Sequence, residues 1–173
     1  MKVLKIIIVA LIVLPALFFL VGFLSPTITY ENNFRTKASL QTAWEVFIDE
    51  SKMKDWISNF KSIKLIEGSD NEVGSRYEMT TEYEGQTATV IEKLTAYKEQ
   101  EQFAFELETE YMTIHVDIHF SPDFDGSEFR ATHEVKGKNA IWRSMFRLMK
   151  SSMAQQSHDD YQKLKRLMDA EAS

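Results

Sequence analysis

Residues 38–49 of the chain read ASLQTAWEVFID, and this stretch predicts a short amphipathic helix with Ser39 as a candidate N-cap. Its apolar residues recur at the spacing of one helix face: Leu40, Ala43, Trp44 and Phe47. Before it, residues 27–36 (TITYENNFRT) place apolar side chains at alternate positions, which is typical of a strand. After it, residues 52–57 predict a second short helix. The domain therefore begins with one strand followed by two helices.

From residue 60 to residue 136 the helical period disappears, and short alternating runs are separated by turn residues. We predict six strands, over residues 60–67, 73–83, 86–97, 101–108, 111–120 and 127–136. Because their connections have hairpin length, the sheet is predicted to be antiparallel.

A long amphipathic helix is predicted from a candidate N-cap at Asn139 to about residue 170. Its apolar stripe consists of Trp142, Met145, Phe146, Met149, Met153, Tyr161, Leu164 and Met168. Gln156, Ser157 and Asp160 interrupt the stripe, so the middle of the helix is less apolar than its two ends.

This order of elements resembles the helix-grip fold of the START-like (SRPBCC) superfamily, which includes polyketide cyclases/dehydrases and Bet v 1-like proteins. Residues 38–49, continued through Met53 and Trp56 to Ile63, carry the local resemblance. It implies an α+β domain over residues 27–173, in which a curved, seven-stranded antiparallel sheet wraps the last helix and leaves a cavity. The superfamily has no universal catalytic signature. The proline common after its fourth strand is missing here.

The N-terminal segment is apolar and uncharged over residues 6–24, which at 1.5 Å per residue form about 28 Å of helix, close to a bilayer core of roughly 30 Å. We predict that residues 1–26 are a cytoplasmic stub and an uncleaved transmembrane signal anchor. A cleaved signal peptide is the alternative, but the run is long and no small-x-small pair precedes Pro26. Lys2 and Lys5 then place the N-terminus in the cytoplasm and the domain on the extracytoplasmic side, periplasmic in a bacterial cell.

Composition excludes several function classes. The residues after the anchor carry 18 basic and 26 acidic side chains, a net charge of −8, so phosphate backbones are repelled and nucleic acid is not a predicted partner. The absence of cysteine excludes disulfides, thiol nucleophiles and Cys-ligated zinc. No P-loop or dinucleotide glycine motif is present, and no cofactor or metal is predicted.

Candidate binding residues follow from the strand alternation. His133 shares the apolar face of the last strand, where it is either a ligand partner and proton donor or a structural histidine held by a hydroxyl or carbonyl. The resemblance implies cavity lining for inward-facing residues of the third strand, whose alternative is a core role with satisfied hydroxyls. The candidates are His133, Tyr77, Thr81, Tyr83, Met145, Met149 and Met153.

Two further sets of polar residues are weaker candidates. Glu92 follows two adjacent β-branched residues that spoil the alternation, so a bulge is able to point it inward, as an acid or base, or outward. His115, Asp117 and His119 alternate on one strand face, with the outer pair about 13 Å apart, too far for one metal ion. We assign this second set to the solvated face.

Three function classes compete. The leading hypothesis is a membrane-tethered module that binds a hydrophobic small molecule or lipid between the sheet and the last helix. The second is a cyclase- or dehydratase-type enzyme that uses His133 with Tyr77 or Glu92 for proton transfer. The third is a scaffold with a filled core and no cavity.

Overall fold

The protein is described here by a computed structural model of residues 2–172; Met1 and Ser173, the outermost residues of the two predicted segments, lie outside this range. The elements in chain order are α1 (Lys2–Leu24), β1 (Thr27–Thr36), α2 (Leu40–Ile48), α3 (Glu50–Trp56), β2 (Phe60–Glu67), β3 (Arg76–Tyr83), β4 (Gln86–Lys98), β5 (Gln102–Glu108), β6 (Met112–Asp123), β7 (Gly126–Gly137) and α4 (Ala140–Glu171). The predicted order of elements is confirmed.

The sheet has seven strands in the order β1-β7-β6-β5-β4-β3-β2, and every neighbouring pair is antiparallel. Strands β2 to β7 follow one another through hairpin-length connections, so only β1 lies out of sequence order, beside β7. The helices α2 and α3 connect the two edge strands, and α4 lies against the same face of the sheet. This is the helix-grip fold.

Both predicted N-caps are present. The Ser39 hydroxyl and the Asn139 side-chain carbonyl each accept a hydrogen bond, at 3.1 Å, from the backbone N–H three residues further on. A third cap, Asp49, separates α2 from α3 and accepts from the Ser51 backbone N–H at 2.9 Å. The caps satisfy amide groups that the first turn leaves unpaired, and they fix where each helix begins.

Two strand boundaries differ from the prediction by three residues, namely the end of β6, at Asp123, and the start of β3. β3 begins at Arg76 rather than at residue 73, because the chain turns immediately before it. The Ser75 backbone N–H donates to the Glu72 carbonyl at 3.0 Å, and Gly74 has a positive φ of 99°. Val73, the first residue of the predicted strand, therefore lies outside β3 and is exposed.

The core occupies the part of the molecule where α2 meets the sheet. Trp44 and Phe47 lie in a cluster of aromatic rings, with Phe120 5.3 Å from each and Phe129 6.2 Å from Phe47. The C-terminal half of α4 closes this cluster with Tyr161, Leu164 and Met168. Because α2 fills this part of the interior, the remaining space lies between the sheet, α3 and the middle of α4.

The helix α1 is long and apolar enough to cross a membrane over Lys5–Leu24. Its C-terminal part lies against the first turns of α4, where the Ser144 hydroxyl donates to the Phe18 carbonyl at 2.6 Å. A Cβ atom added at Gly22 would lie only 2.8 Å from the Ala140 carbonyl oxygen. Glycine is therefore required for this close approach of the two helices.

Candidate ligand cavity

A cavity of about 660 Å³ lies between the sheet, α3 and α4. Its walls are mostly apolar and include Met79 from β3, Phe105 and Leu107 from β5, and Ile114 and Val116 from β6. The volume falls in the range of roughly 300–1,000 Å³ typical of small-molecule sites. A site of this kind takes most of its binding energy from apolar contact, while a few polar groups orient the ligand.

His133 forms the first of two polar groups in the wall, together with the hydroxyls of α4. Its Nε2 atom lies 3.2 Å from the Ser157 hydroxyl and 3.2 Å from the Tyr161 hydroxyl, and its ring stacks on Tyr30 with a centroid distance of 4.7 Å. We call His133, Ser157, Tyr161 and Tyr30 the histidine group. All four residues line the cavity, yet the His133 side chain already has partners inside the protein.

The hydrogen bonds of the histidine group favour a neutral imidazole. The Asn32 amide donates to the Ser157 hydroxyl oxygen at 3.0 Å, so the Ser157 proton is available to His133. In the tautomer that carries its proton on Nδ1, the lone pair of Nε2 accepts a hydrogen bond from one of the two neighbouring hydroxyls. Burial lowers the pKa of His133 to about 4, so the ring is uncharged at neutral pH.

Glu92 belongs to the second polar group, on the opposite wall. Its side chain is 7% exposed and lines the cavity, and it lies directly across the β3–β4 pair from Tyr77, on the same sheet face. Among residues 2–172, none forms a hydrogen bond or ion pair with its carboxylate. Burial raises the pKa of Glu92 to about 7.

Tyr77 lies close to two further acidic residues in addition to Glu92. Its hydroxyl accepts a hydrogen bond from the Asn71 backbone N–H at 3.1 Å, which holds the loop that carries Asp70. Burial, and then the charges of Asp70, Glu92 and Glu50, raise the pKa of Tyr77. Asp70 and Glu50 also line the cavity but are exposed, so they stand at its rim. We call Glu92, Tyr77, Asp70 and Glu50 the acidic end.

The two groups do not converge. His133 is on β7 and Glu92 is on β4, and three inter-strand steps of about 4.8 Å separate them, roughly 14 Å along the sheet. Proton transfer that uses His133 together with Tyr77 or Glu92 requires them to meet at one reacting atom. The structure does not bring them together.

Three of the seven predicted binding residues line the cavity, namely His133, Tyr77 and Met153. Thr81 and Tyr83 lie beyond it, towards the turn that ends β3; the Thr81 hydroxyl contacts the Ala88 carbonyl at 3.4 Å, and Tyr83 is 64% exposed. The sheet continues past the part that the helices cover, so inward alternation alone did not place these two residues in the cavity.

Met145 and Met149 also lie outside the cavity, on the first turns of α4 beside α1. They are exposed together with Ile141 and Leu148, and the four residues recur on one helix face. The predicted apolar stripe was too wide, because only Trp142, Phe146 and Met153 of this half face the sheet.

The polar interruption of the α4 stripe marks the part of the helix that faces the cavity. Gln156, Ser157 and Asp160, which break the stripe, all line it. Asp160 is held by the Ser58 hydroxyl at 2.5 Å and by the Lys163 ammonium at 2.9 Å. Sequence reasoning noted the interruption but did not use it as a signal for cavity lining.

The sequence profile of a family described as "Polyketide cyclase / dehydrase and lipid transport" matches residues 27–169. The chain belongs to this family. The match covers every strand and nearly all of α4, and it leaves out α1. The predicted SRPBCC relationship is thereby confirmed. A comparison with curated protein sequences finds no match.

Several solved structures have the same fold as this protein but share little sequence identity with it. The crystal structure of Ara h 8.0201 is similar over 82% of this chain and 97% of its own, with 14% identity and a TM-score of 0.65. The two-domain ARO/CYC protein StfQ of the steffimycin biosynthetic pathway matches over 84% of this chain and 52% of its own, with 11% identity and a TM-score of 0.68. A Staphylococcus aureus protein of unknown function has 12% identity over 84% of this chain and 95% of its own, with a TM-score of 0.68. At these identities the likeness is one of fold.

The candidate metal ligands of the family member lie outside the cavity. His119 is exposed on β6, and its Nε2 atom lies 3.2 Å from the Asp117 carboxylate, while His115 faces the same outer side. Within the described part of the chain, no cluster of three or more histidine and acidic side chains is arranged to hold a metal ion. This set belongs to the solvated face of the sheet.

Proposed function

We propose that the protein is a membrane-anchored binding module that takes a hydrophobic small molecule or a lipid into the cavity. The observation that carries the proposal is an apolar space of about 660 Å³ whose histidine is already paired. Membership of the polyketide cyclase/dehydrase and lipid transport family supports a ligand-binding domain. Residues 1–26 then serve as the anchor and residues 27–173 as the domain.

Native mass spectrometry of the full chain, released from lipid nanodiscs, tests uptake of the ligand. The unmodified protein should retain one lipophilic molecule, and Met153→Trp should retain less of it because the larger ring narrows the cavity. Met149→Trp is the matched control, since Met149 is on the same helix but outside the cavity. An unmodified chain that takes up no lipophilic molecule contradicts the proposal.

We further propose that the domain lies on the extracytoplasmic side. Lys2 and Lys5 flank the N-terminal end of α1, and no charged residue follows α1 until Glu31. Since the chain has no cysteine, Asp125→Cys in the exposed β6–β7 turn gives a single labelling site. A membrane-impermeant maleimide should label this cysteine in intact cells. Labelling only after the cytoplasmic membrane is opened reverses the orientation.

An enzyme of the cyclase or dehydratase type is a second candidate, favoured by Glu92 alone. A carboxyl group in an apolar cavity with a pKa of about 7 is suited to proton transfer at neutral pH. A bound molecule that loses water over time in the unmodified protein, but not in Glu92→Gln, supports this function. A bound molecule that keeps both its mass and its chromatographic retention supports the binding module, since ring closure without loss of water would change the retention alone.

A further inference from the structure

The charged residues that line the cavity all have one sign. Four carboxylates, those of Glu50, Asp70, Glu92 and Asp160, line it, and no lysine or arginine of residues 2–172 does so. Asp160 is neutralised by Lys163, whose ammonium lies 2.9 Å away. The carboxylates without a basic partner in the wall are therefore those of the acidic end.

Glu92 is the buried member of the acidic end, and it lacks a partner. Burying a carboxyl group without a hydrogen bond costs free energy, and burying a charged one costs far more. On the cavity side it is surrounded mostly by apolar side chains, and Tyr77 is its cross-strand neighbour on β3. A ligand group that donates hydrogen bonds would thus supply the partner that the Glu92 carboxyl lacks among the described residues.

The charge of the ligand head group decides which molecules can pair with Glu92. A carboxylate or phosphate head would lie near the Glu92 carboxyl group and the carboxylates of Glu50 and Asp70, with no cation in the wall to offset its charge. A protonated amine offers up to three donors and a positive charge, which is stable in an apolar cavity only when paired. The exposed Glu50 and Asp70 at the rim attract the same cation on its way in.

We propose that the cavity selects lipophilic molecules that carry a protonated amine, and that Glu92 is the residue which pairs with that amine. This inference rests on the proposed function, because it assigns the head group of the molecule that the cavity takes up. The apolar walls hold the body of the ligand, and Tyr77 is the cross-strand neighbour of the pairing residue.

Decylamine, decanol and decanoate form a matched probe series, since they share one alkyl chain and differ in the head group. We would measure binding by equilibrium dialysis against the full chain in phosphatidylcholine nanodiscs, with empty nanodiscs to subtract partition into the lipid. A charge-assisted hydrogen bond exceeds a neutral one enough to give the amine about tenfold tighter binding than the alcohol. Decanoate should bind most weakly.

Glu92→Gln should remove the preference for the amine, so that decylamine and decanol bind with similar affinity. Glu78→Gln is the matched control, because Glu78 is exposed on the outer face of β3 and the substitution removes the same charge. Equal affinity of the unmodified chain for amine and alcohol overturns the inference, and so does a preference that survives Glu92→Gln. Binding of decanol without an amine preference leaves the proposed function standing, whereas failure of all three probes overturns both.

Discussion

The histidine group and the acidic end are two polar regions of one apolar cavity, and they differ in whether their buried titratable side chain has a hydrogen-bond partner. Burial is the first cause of both pKa shifts, and it favours the uncharged form of each side chain. His133 has hydroxyl partners at 3.2 Å on α4, whereas Glu92 has no partner among the described residues. The first region is complete without a ligand and the second is not.

This difference separates a structural residue from a candidate binding residue. The sequence placed His133 first among the site candidates, because histidine titrates near neutrality. In the folded protein burial keeps it neutral and two hydroxyls of α4 contact its ring, which favours the structural role that the sequence left open. The unpaired group is a glutamate whose direction the sequence did not determine. The missing partner is therefore the better guide to where a ligand binds.

The largest expected effect is the loss of protein stability that Glu92 causes as the pH rises. Its folded-state pKa of about 7 lies above the ordinary 4.5, so the unfolded chain loses the proton first as the pH rises. Glu92 therefore destabilises the fold progressively between these values, by about 3 kcal/mol above them. The free energy of unfolding of Glu92→Gln, relative to the unmodified chain, should rise by that amount from about pH 4 to about pH 8 in urea titrations.

The control for this measurement is Glu78→Gln, which should show no such rise because Glu78 is exposed. A stability difference for Glu92→Gln that stays constant with pH would show that the carboxyl group is not desolvated. The acidic end would then be an ordinary solvated surface.

The next effect is at His133, with the opposite pH dependence. His133→Phe leaves the Ser157 and Tyr161 hydroxyls without their ring partner, so we expect a loss of roughly 1–3 kcal/mol at neutral pH. The folded-state pKa of about 4 lies below the ordinary 6.5, so the unmodified protein loses stability as the pH falls between these values. The variant lacks this group, and its deficit should shrink or reverse near pH 4.

Binding of lipophilic probes should survive His133→Phe, since the ring that is replaced pairs inside the protein. If probe affinity falls at least tenfold while the melting temperature is unchanged, His133 contacts the ligand and the comparison with Glu92 fails. The pair of measurements on one variant therefore distinguishes the two roles.

A smaller effect is expected at Ser157. Ser157→Ala removes the hydroxyl between the Asn32 amide and His133, but the Tyr161 hydroxyl remains at His133. We expect a loss of about 1 kcal/mol in the free energy of unfolding. Chemical shifts of the His133 ring in NMR spectra should change as one partner is lost. Unchanged shifts would remove Ser157 from the histidine group.

The smallest effect is expected at Tyr83, which the sequence placed with Tyr77. Because Tyr83 is 64% exposed and outside the cavity, Tyr83→Phe should change stability by less than about 0.5 kcal/mol and leave probe binding unaltered. Tyr77→Phe, measured beside it, should weaken the amine preference because its hydroxyl lies in the acidic end. If Tyr77→Phe and Tyr83→Phe have the same effect on the amine preference, Tyr77 does not belong to the acidic end.

The fold was predictable because local signals agreed with one another. Ser39 and Asn139 act as N-caps where the sequence placed them, and the hairpin turns set an antiparallel sheet. The turn between β4 and β5 lacks the proline that is common in the superfamily, and Gln100 has a positive φ of 61° there. Such features depend on neighbours along the chain, so a single sequence carries them.

The site was less predictable because it depends on long-range packing. Glu92 faces inward because the β3–β4 register is unbroken there, while the irregularity of β4 lies further on, between Leu94 and Ala96. The partners of His133 come from α4, whose position relative to β7 no local pattern specifies. Met149 is exposed because the sheet covers a narrower face of α4 than the apolar stripe. Each of these facts needs the tertiary structure.

The contact between α1 and α4 limits how far the domain can travel. Only Ser25 and Pro26 separate α1 from β1, a link of at most about 7 Å, and the Gly22 contact holds the helix end against the domain. The connection between α1 and the domain is thus short and held in place by packing. If α1 spans a bilayer and the cavity binds a lipid as proposed, the cavity stays within a domain's width of that bilayer and would exchange the lipid with one leaflet, without reaching a second membrane.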